Sequence, residues 1–199
     1  MSPLVYFVPA YTYAFGIAIL IWVVPERVGS FWWRSSRDPT ARKEDRGSLF
    51  VVVVSLVAGM GVACVLAARW TGAAIPWFRS HVTIAGIALV VIGAGLRWWA
   101  IITLGRYFTF DVAVRPTQLV VQSGPYRFVR HPAYSGTLLT VLGVGLALAN
   151  WASLAAVLAG GLIGHLYRVR VEERALKEAL GQPYVDYMRH TKRFIPFVF

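Results

Sequence analysis

Apolar residues fall along this chain in long unbroken blocks, not at the three-to-four-residue spacing that marks an amphipathic surface helix. Leu4 to Val24 and Leu49 to Ala68 each hold about 20 residues without a charge, enough to cross a bilayer as a helix. A third block, Val82 to Leu104, contains Arg97, and two shorter ones, Tyr134 to Ala149 and Trp151 to Tyr167, meet at Asn150. Read as one helix, that last pair would run about 51 Å at roughly 1.5 Å per residue, far beyond a hydrocarbon core of roughly 30 Å. A tight helical hairpin fits the length better.

The stretches between the blocks are patterned too. Phe108, Phe110, Val112 and Val114 alternate with Thr109, Asp111, Ala113 and Arg115, a period of two that suits an extended strip at the membrane interface until Pro116 breaks it. From His165 nothing interrupts a helix until Gly181 and Pro183, so the fifth helix is expected to project out of the membrane and stop there. The expected fold is an all-α integral membrane protein of about five transmembrane helices, the last two a hairpin, with a C-terminal cytoplasmic helical extension. Residues 1–199 form one membrane domain in this reading, with 1–68 supplying two N-terminal helices.

Composition agrees: the chain is 57% hydrophobic and 15% charged. Its net charge of +11 suggests nucleic acid at first sight, but the basic residues flank apolar spans instead of lining one soluble face, which argues against that class of partner. Six Lys and Arg lie between Arg27 and Arg46, two between Arg69 and Arg79, four between Arg106 and Arg130, and seven from Arg168 to Arg193. Five spans put the first, third and fourth of these groups on one face, which the positive-inside rule makes cytoplasmic, with the N-terminus outside. Met1 to Ala10 holds no Lys or Arg, unlike a cleavable signal peptide, so the first span is expected to be retained. Cys64, the single cysteine, lies within the second block and reads as packing.

The candidate chemistry concentrates near the C-terminus. Ser123 to Gly136 reads S-G-P-Y-R-F-V-R-H-P-A-Y-S-G, and Pro125 and Pro132 stiffen it enough to hold side chains in reproducible positions. The same residues also suit a plain membrane-entry loop, with arginines on head groups and tyrosines in the aromatic belt. On the projecting helix, Arg168 and Glu172, and Glu173 and Lys177, sit four apart as surface pairs would. Glu172 and Glu173 nevertheless lie within two turns of the membrane exit, facing a loop that carries Arg130 and His131, which suggests a zwitterionic or cationic ligand. Arg97, costly in hydrocarbon, reads equally as a snorkelling anchor or as the partner of a substrate carboxylate. The four histidines show no metal-ligand spacing, so no metal is expected, and no dinucleotide fingerprint or phosphate loop is present.

Four stretches in order, L-G-R-Y-F-T from Leu104, G-P-Y-R-F-V-R-H-P-A-Y-S-G from Gly124, the Glu172-Glu173 pair followed by Leu176, and G-Q-P-Y-V-D-Y through R-F-I-P, carry a resemblance. Over residues 97–196 the chain resembles the isoprenylcysteine carboxyl methyltransferase and phospholipid methyltransferase superfamily of membrane enzymes. The resemblance implies a methyltransferase-like core that holds S-adenosylmethionine in a cytoplasmic pocket and takes a lipophilic acceptor from the bilayer. It implies cofactor contacts from Gln118, Leu119, Gly124, Tyr126, Arg130, His131, Pro132, Tyr134, Glu172, Tyr184 and Tyr187. Tyrosines would wall the adenosine, Glu172 would meet the ammonium, and Arg130 or His131 the carboxylate. Many relatives carry a histidine where this chain has Gln118, which hydrogen-bonds but carries no proton.

Methyl transfer to a carboxylate needs alignment and exclusion of water more than it needs a base. Arg97 or Arg193 would then orient the acid, and these two with Glu173 form the candidate catalytic set. An amine or phenol acceptor would instead require a base such as Glu173 or His131. The carboxylate of an isoprenoid-like or prenylcysteine-like substrate is the leading expectation, and a phospholipid amine is the alternative. Readings of another class are a sterol-type reductase using a nicotinamide dinucleotide phosphate, and a non-catalytic scaffold. The oligomeric state is not legible.

Overall fold

The computed structural model describes residues 2–32 and 42–195. A short helix α1 (Leu4–Phe7) leads into α2 (Pro9–Trp32). Three further long helices follow, α3 (Ser48–Arg69), α4 (Arg79–Leu104) and α6 (Trp151–Leu180), with the shorter α5 (Pro132–Ala147) between the last two. Each of α2, α3, α4 and α6 contains a stretch long and apolar enough to cross a membrane. The 16-residue α5 completes the expected five, because its two ends lie at opposite ends of the bundle. At its start His131 N–H donates to the Arg193 carbonyl, while just past its end the Ala149 carbonyl accepts from Ile75 N–H. Asn150 closes the expected hairpin: its side chain caps α6 by accepting from Ser153 N–H at 3.0 Å and donates to the Trp70 carbonyl.

Without a hydrophobic force between helices in lipid, close packing has to hold such a bundle together, and small residues allow it. On α4, Gly86 and Gly93 face Gly136, Thr140 and Gly143 of α5 so closely that a Cβ on Gly136 would lie 2.6 Å from Arg97 N and 2.7 Å from the Gly93 carbonyl. The α3–α6 seam repeats the device at Gly59, Gly160 and Gly164. Val90, Val141, Val144, Leu148 and Val157 fill the core between these seams. Cys64 is exposed on the outside of α3, so the packing role expected of it is not the one it has.

At about 1.5 Å per residue the 30-residue α6 runs some 45 Å, so its last turns stand clear of the membrane. Gly181, at φ +60°, ends it, and α7 (Gln182–His190) turns back. The strip from Phe108 to Val114 lies beneath this projection: Val112 and Val114 pack against Ala175, and the strand β2 (Ala113–Val114) pairs antiparallel with β1 (Arg42–Lys43). Val112, Ala113 and Val114 are all buried, so the alternation expected of an interfacial strip gives way to burial on both faces under α6.

Candidate active site

The R-H-P loop is held from two directions. The C-terminal tail runs alongside it, with Arg130 N–H donating to the Lys192 carbonyl at 2.7 Å and Ser135 Oγ donating to the Phe194 carbonyl at 2.7 Å. Tyr187 Oη of α7 donates to the Tyr126 carbonyl at 2.6 Å. Gly124 starts this loop at φ +54°, against Thr103 of α4. The loop, the paired glutamates and residues 192–194 therefore meet at one end of the bundle.

There Glu172 and Glu173 part company. Glu173 is buried at the centre of a cationic cluster: Arg130 Nε donates to it at 3.1 Å, Arg193 Nη2 at 2.9 Å, and His131 Nε2 lies 3.4 Å away. Glu172 instead faces an open cavity, its carboxylate accepting from Tyr134 Oη at 2.7 Å and lying 3.6 Å from His131 Nδ1. Tyr134 Oη in turn accepts from Arg168 Nε at 2.7 Å, and the same guanidinium donates to Asp45, Ser48 and the Phe110 carbonyl. The surface pairs expected at Arg168–Glu172 and Glu173–Lys177 are thus replaced by tertiary bonds between elements. Burial alone would raise the Asp45 carboxyl, but the hydrogen bonds from Val112 N–H, Ser48 Oγ and Leu49 N–H, with the nearby Arg168 charge, outweigh it and hold it below the ordinary value of 3.8.

The cavity takes in about 830 Å³ of space, the open solvent at its mouth included. Of the residues expected to bind cofactor, Gln118, Leu119, Tyr126, Arg130, His131, Tyr134, Glu172, Tyr184 and Tyr187 line it. Gly124 and Pro132 shape the loop behind its wall. Glu173 and Arg193 stand outside it, joined to each other. Burial pushes the phenols of Tyr126 and Tyr184 well above their usual range and that of Tyr187 up to about 12, so all three stay protonated near neutral pH. Gln118 Oε1 accepts from Arg115 N–H and so closes its own turn.

Arg97 does not line the cavity. Its guanidinium is buried in a bidentate pair with Glu26 of α2, with Nη2 at 2.8 Å, and also donates to the Ala133 carbonyl at 3.3 Å. Sequence reasoning missed Glu26 as its partner. A signal existed: Glu26 is an acid at the edge of one span and Arg97 a base within another, and intramembrane charges pair.

Residues 86–178 match the sequence profile of the isoprenylcysteine carboxyl methyltransferase (ICMT) family. Protein-S-isoprenylcysteine O-methyltransferase B of Arabidopsis thaliana is 33% identical over 129 residues, 62% of this chain and 64% of that one. The solved structure of the eukaryotic intramembrane Ras methyltransferase ICMT superposes with a TM-score of 0.63 over 98% of this chain and 70% of its own. The profile match takes in a little under half of the chain. At 21% identity the structural match speaks for the shared ICMT fold. The Saccharomyces cerevisiae protein-S-isoprenylcysteine O-methyltransferase is 31% identical over 118 residues, 58% of this chain and 49% of that one. The chain therefore spans less than two thirds of the length of the Arabidopsis and yeast relatives.

Proposed function

We propose that this protein transfers a methyl group from S-adenosylmethionine to the carboxylate of a lipophilic acceptor, isoprenoid-like or prenylcysteine-like, drawn from the bilayer. The site lies on the cytoplasmic face in this reading, with the N-terminus outside. One observation supports it: the cavity gathers the Glu172 carboxylate with five tyrosines at one end of a helix bundle that shares the ICMT fold. The names of the Arabidopsis and yeast relatives point to the same acceptor class.

The residues present fit the cofactor. Tyr126 and Tyr184 would wall the adenosine, Glu172 would receive the ammonium, and Arg130, whose Nη2 donates to none of the described residues, would receive the carboxylate. When bound, the cofactor supplies an electrophilic methyl on a positively charged sulfur. Tyr134, fixed by Arg168, holds the Glu172 carboxylate in place, and the strip from Phe108 to Val114 forms one wall of the cavity.

A carboxylate acceptor needs no base, and the surroundings of Glu173 favour that reading over a phospholipid amine. Two arginines and His131 engage Glu173, leaving it little capacity to take a proton. Arg97 would orient an acceptor acid only by exchanging its bond to Glu26.

The test is calorimetric titration of the detergent-purified protein with S-adenosylhomocysteine and, separately, with nicotinamide dinucleotide phosphate. Micromolar binding of the first alone is expected. Preference for the second would reassign the site to a reductase, and binding of neither by folded protein would leave a scaffold.

A further inference from the structure

A second cleft lies on the far side of α6, away from Glu172. It occupies about 630 Å³ counting its open side, between α6 and the turn that enters α3. Arg46, Arg170 and Arg174 line it, together with Tyr167, Glu44 and Glu178. Glu44 is answered by Arg42 at 2.6 Å, so Glu178 alone opposes the three arginines. Among the described residues, none of these three guanidiniums forms a hydrogen bond or an ion pair.

The cleft continues a lipid-facing surface. Ile163, Tyr167, Arg170 and Arg174 are spaced by four, three and four residues, so they form one stripe along α6, and all four are exposed. Along that stripe the chemistry changes from aliphatic to aromatic to cationic, the order in which a bilayer passes from acyl chain through interface to phosphate. Tyr167 Oη donates to the Arg46 carbonyl at 3.4 Å, which ties the α3 turn to the stripe and brings the third arginine to the cleft. Arg46 itself is held at φ +46°.

We propose that this cleft binds the phosphodiester head group of an anionic phospholipid, whose acyl chains lie along the Ile163 face. Guanidiniums match a phosphate with bidentate geometry, and basic pockets beside membrane helices take anionic head groups. The site is separate from the methyl-transfer reading and stands without it.

The experiment is native mass spectrometry of the purified full chain, equilibrated with equal amounts of phosphatidylglycerol and phosphatidylcholine. Wild type is expected to retain phosphatidylglycerol selectively, and Arg46→Gln/Arg170→Gln/Arg174→Gln to lose at least about tenfold of that retention. A control removing equal charge on the same side, Arg106→Gln/Lys177→Gln/Arg189→Gln, should keep it. Arg170→Lys/Arg174→Lys, which preserves the charge but loses the bidentate fork, should retain less than wild type and more than the glutamine variant. Equal retention of both lipids, or equal loss in the control, overturns the proposal. So does displacement of the lipid by glycerol phosphate at matched concentration, which would make the ligand a free anion.

Discussion

Glu172 and Glu173 are chemically identical neighbours whose surroundings assign them different work. Removing Glu173 would strand Arg130 and Arg193 beside His131 without their counter-charge, and breaking a buried ionic cluster in this way costs about 3–5 kcal/mol. Glu173→Ala is therefore expected to lower the unfolding midpoint of the detergent-solubilised protein sharply. Glu172→Ala loses one hydrogen bond, from Tyr134, at the edge of an open cavity, and should cost about 1–3 kcal/mol. Its larger effect is expected on ligand: S-adenosylhomocysteine affinity should drop tenfold or more while the protein stays folded. A Glu172→Ala protein that binds as wild type does, beside a Glu173→Ala protein of wild-type stability, would reverse this division.

Between elements, the seams decide. A methyl group at Gly136 would collide with the α4 backbone, whereas Gly95 faces open space on α4 itself. Gly136→Ala should destabilise by about 1–3 kcal/mol through overpacking. Gly95→Ala should be neutral or stabilise by up to about 1 kcal/mol, since alanine is the better helix former. Thermal unfolding of the two variants side by side checks the pair, and equal midpoints would dismiss the close packing. The entry to α3 is tied down by Asp45, which accepts from Leu49 N–H, Val112 N–H and Ser48 Oγ and meets Arg168. Because its folded pKa is depressed below 3.8, its stabilisation is complete above that value and is lost as pH falls through the folded pKa. Wild type should thus lose stability more steeply than Asp45→Asn as the pH falls below about 4. Parallel pH profiles would show that Asp45 contributes no such linkage.

For the molecule as a whole, the five traverses place Arg69 and Lys177 at opposite ends. In a Cys64→Ala background, an impermeant maleimide applied to intact cells should label Arg69→Cys and spare Lys177→Cys; the opposite pattern would invert the proposed orientation. Number of spans, the hairpin at Asn150 and the stop at Gly181 were all legible beforehand, because each follows from local transfer energy, helix length or a backbone preference. The R-H-P loop, the glutamate pair and the closing R-F-I-P could be picked out as motifs for the same reason. Which side chains meet was another matter. Arg97 finds Glu26 across 71 positions of chain, and Arg168 turns inward to Tyr134 and Asp45 instead of pairing along its own helix. Glu172 faces the cavity and Glu173 the cluster because the Gly59, Gly160 and Gly164 seam sets the rotation of α6. Hydropathy counts what each segment gains on leaving water, and that sum is indifferent to rotation about the helix axis. Only the close approach of one helix to another selects a rotation, and with it the residue that confronts a ligand.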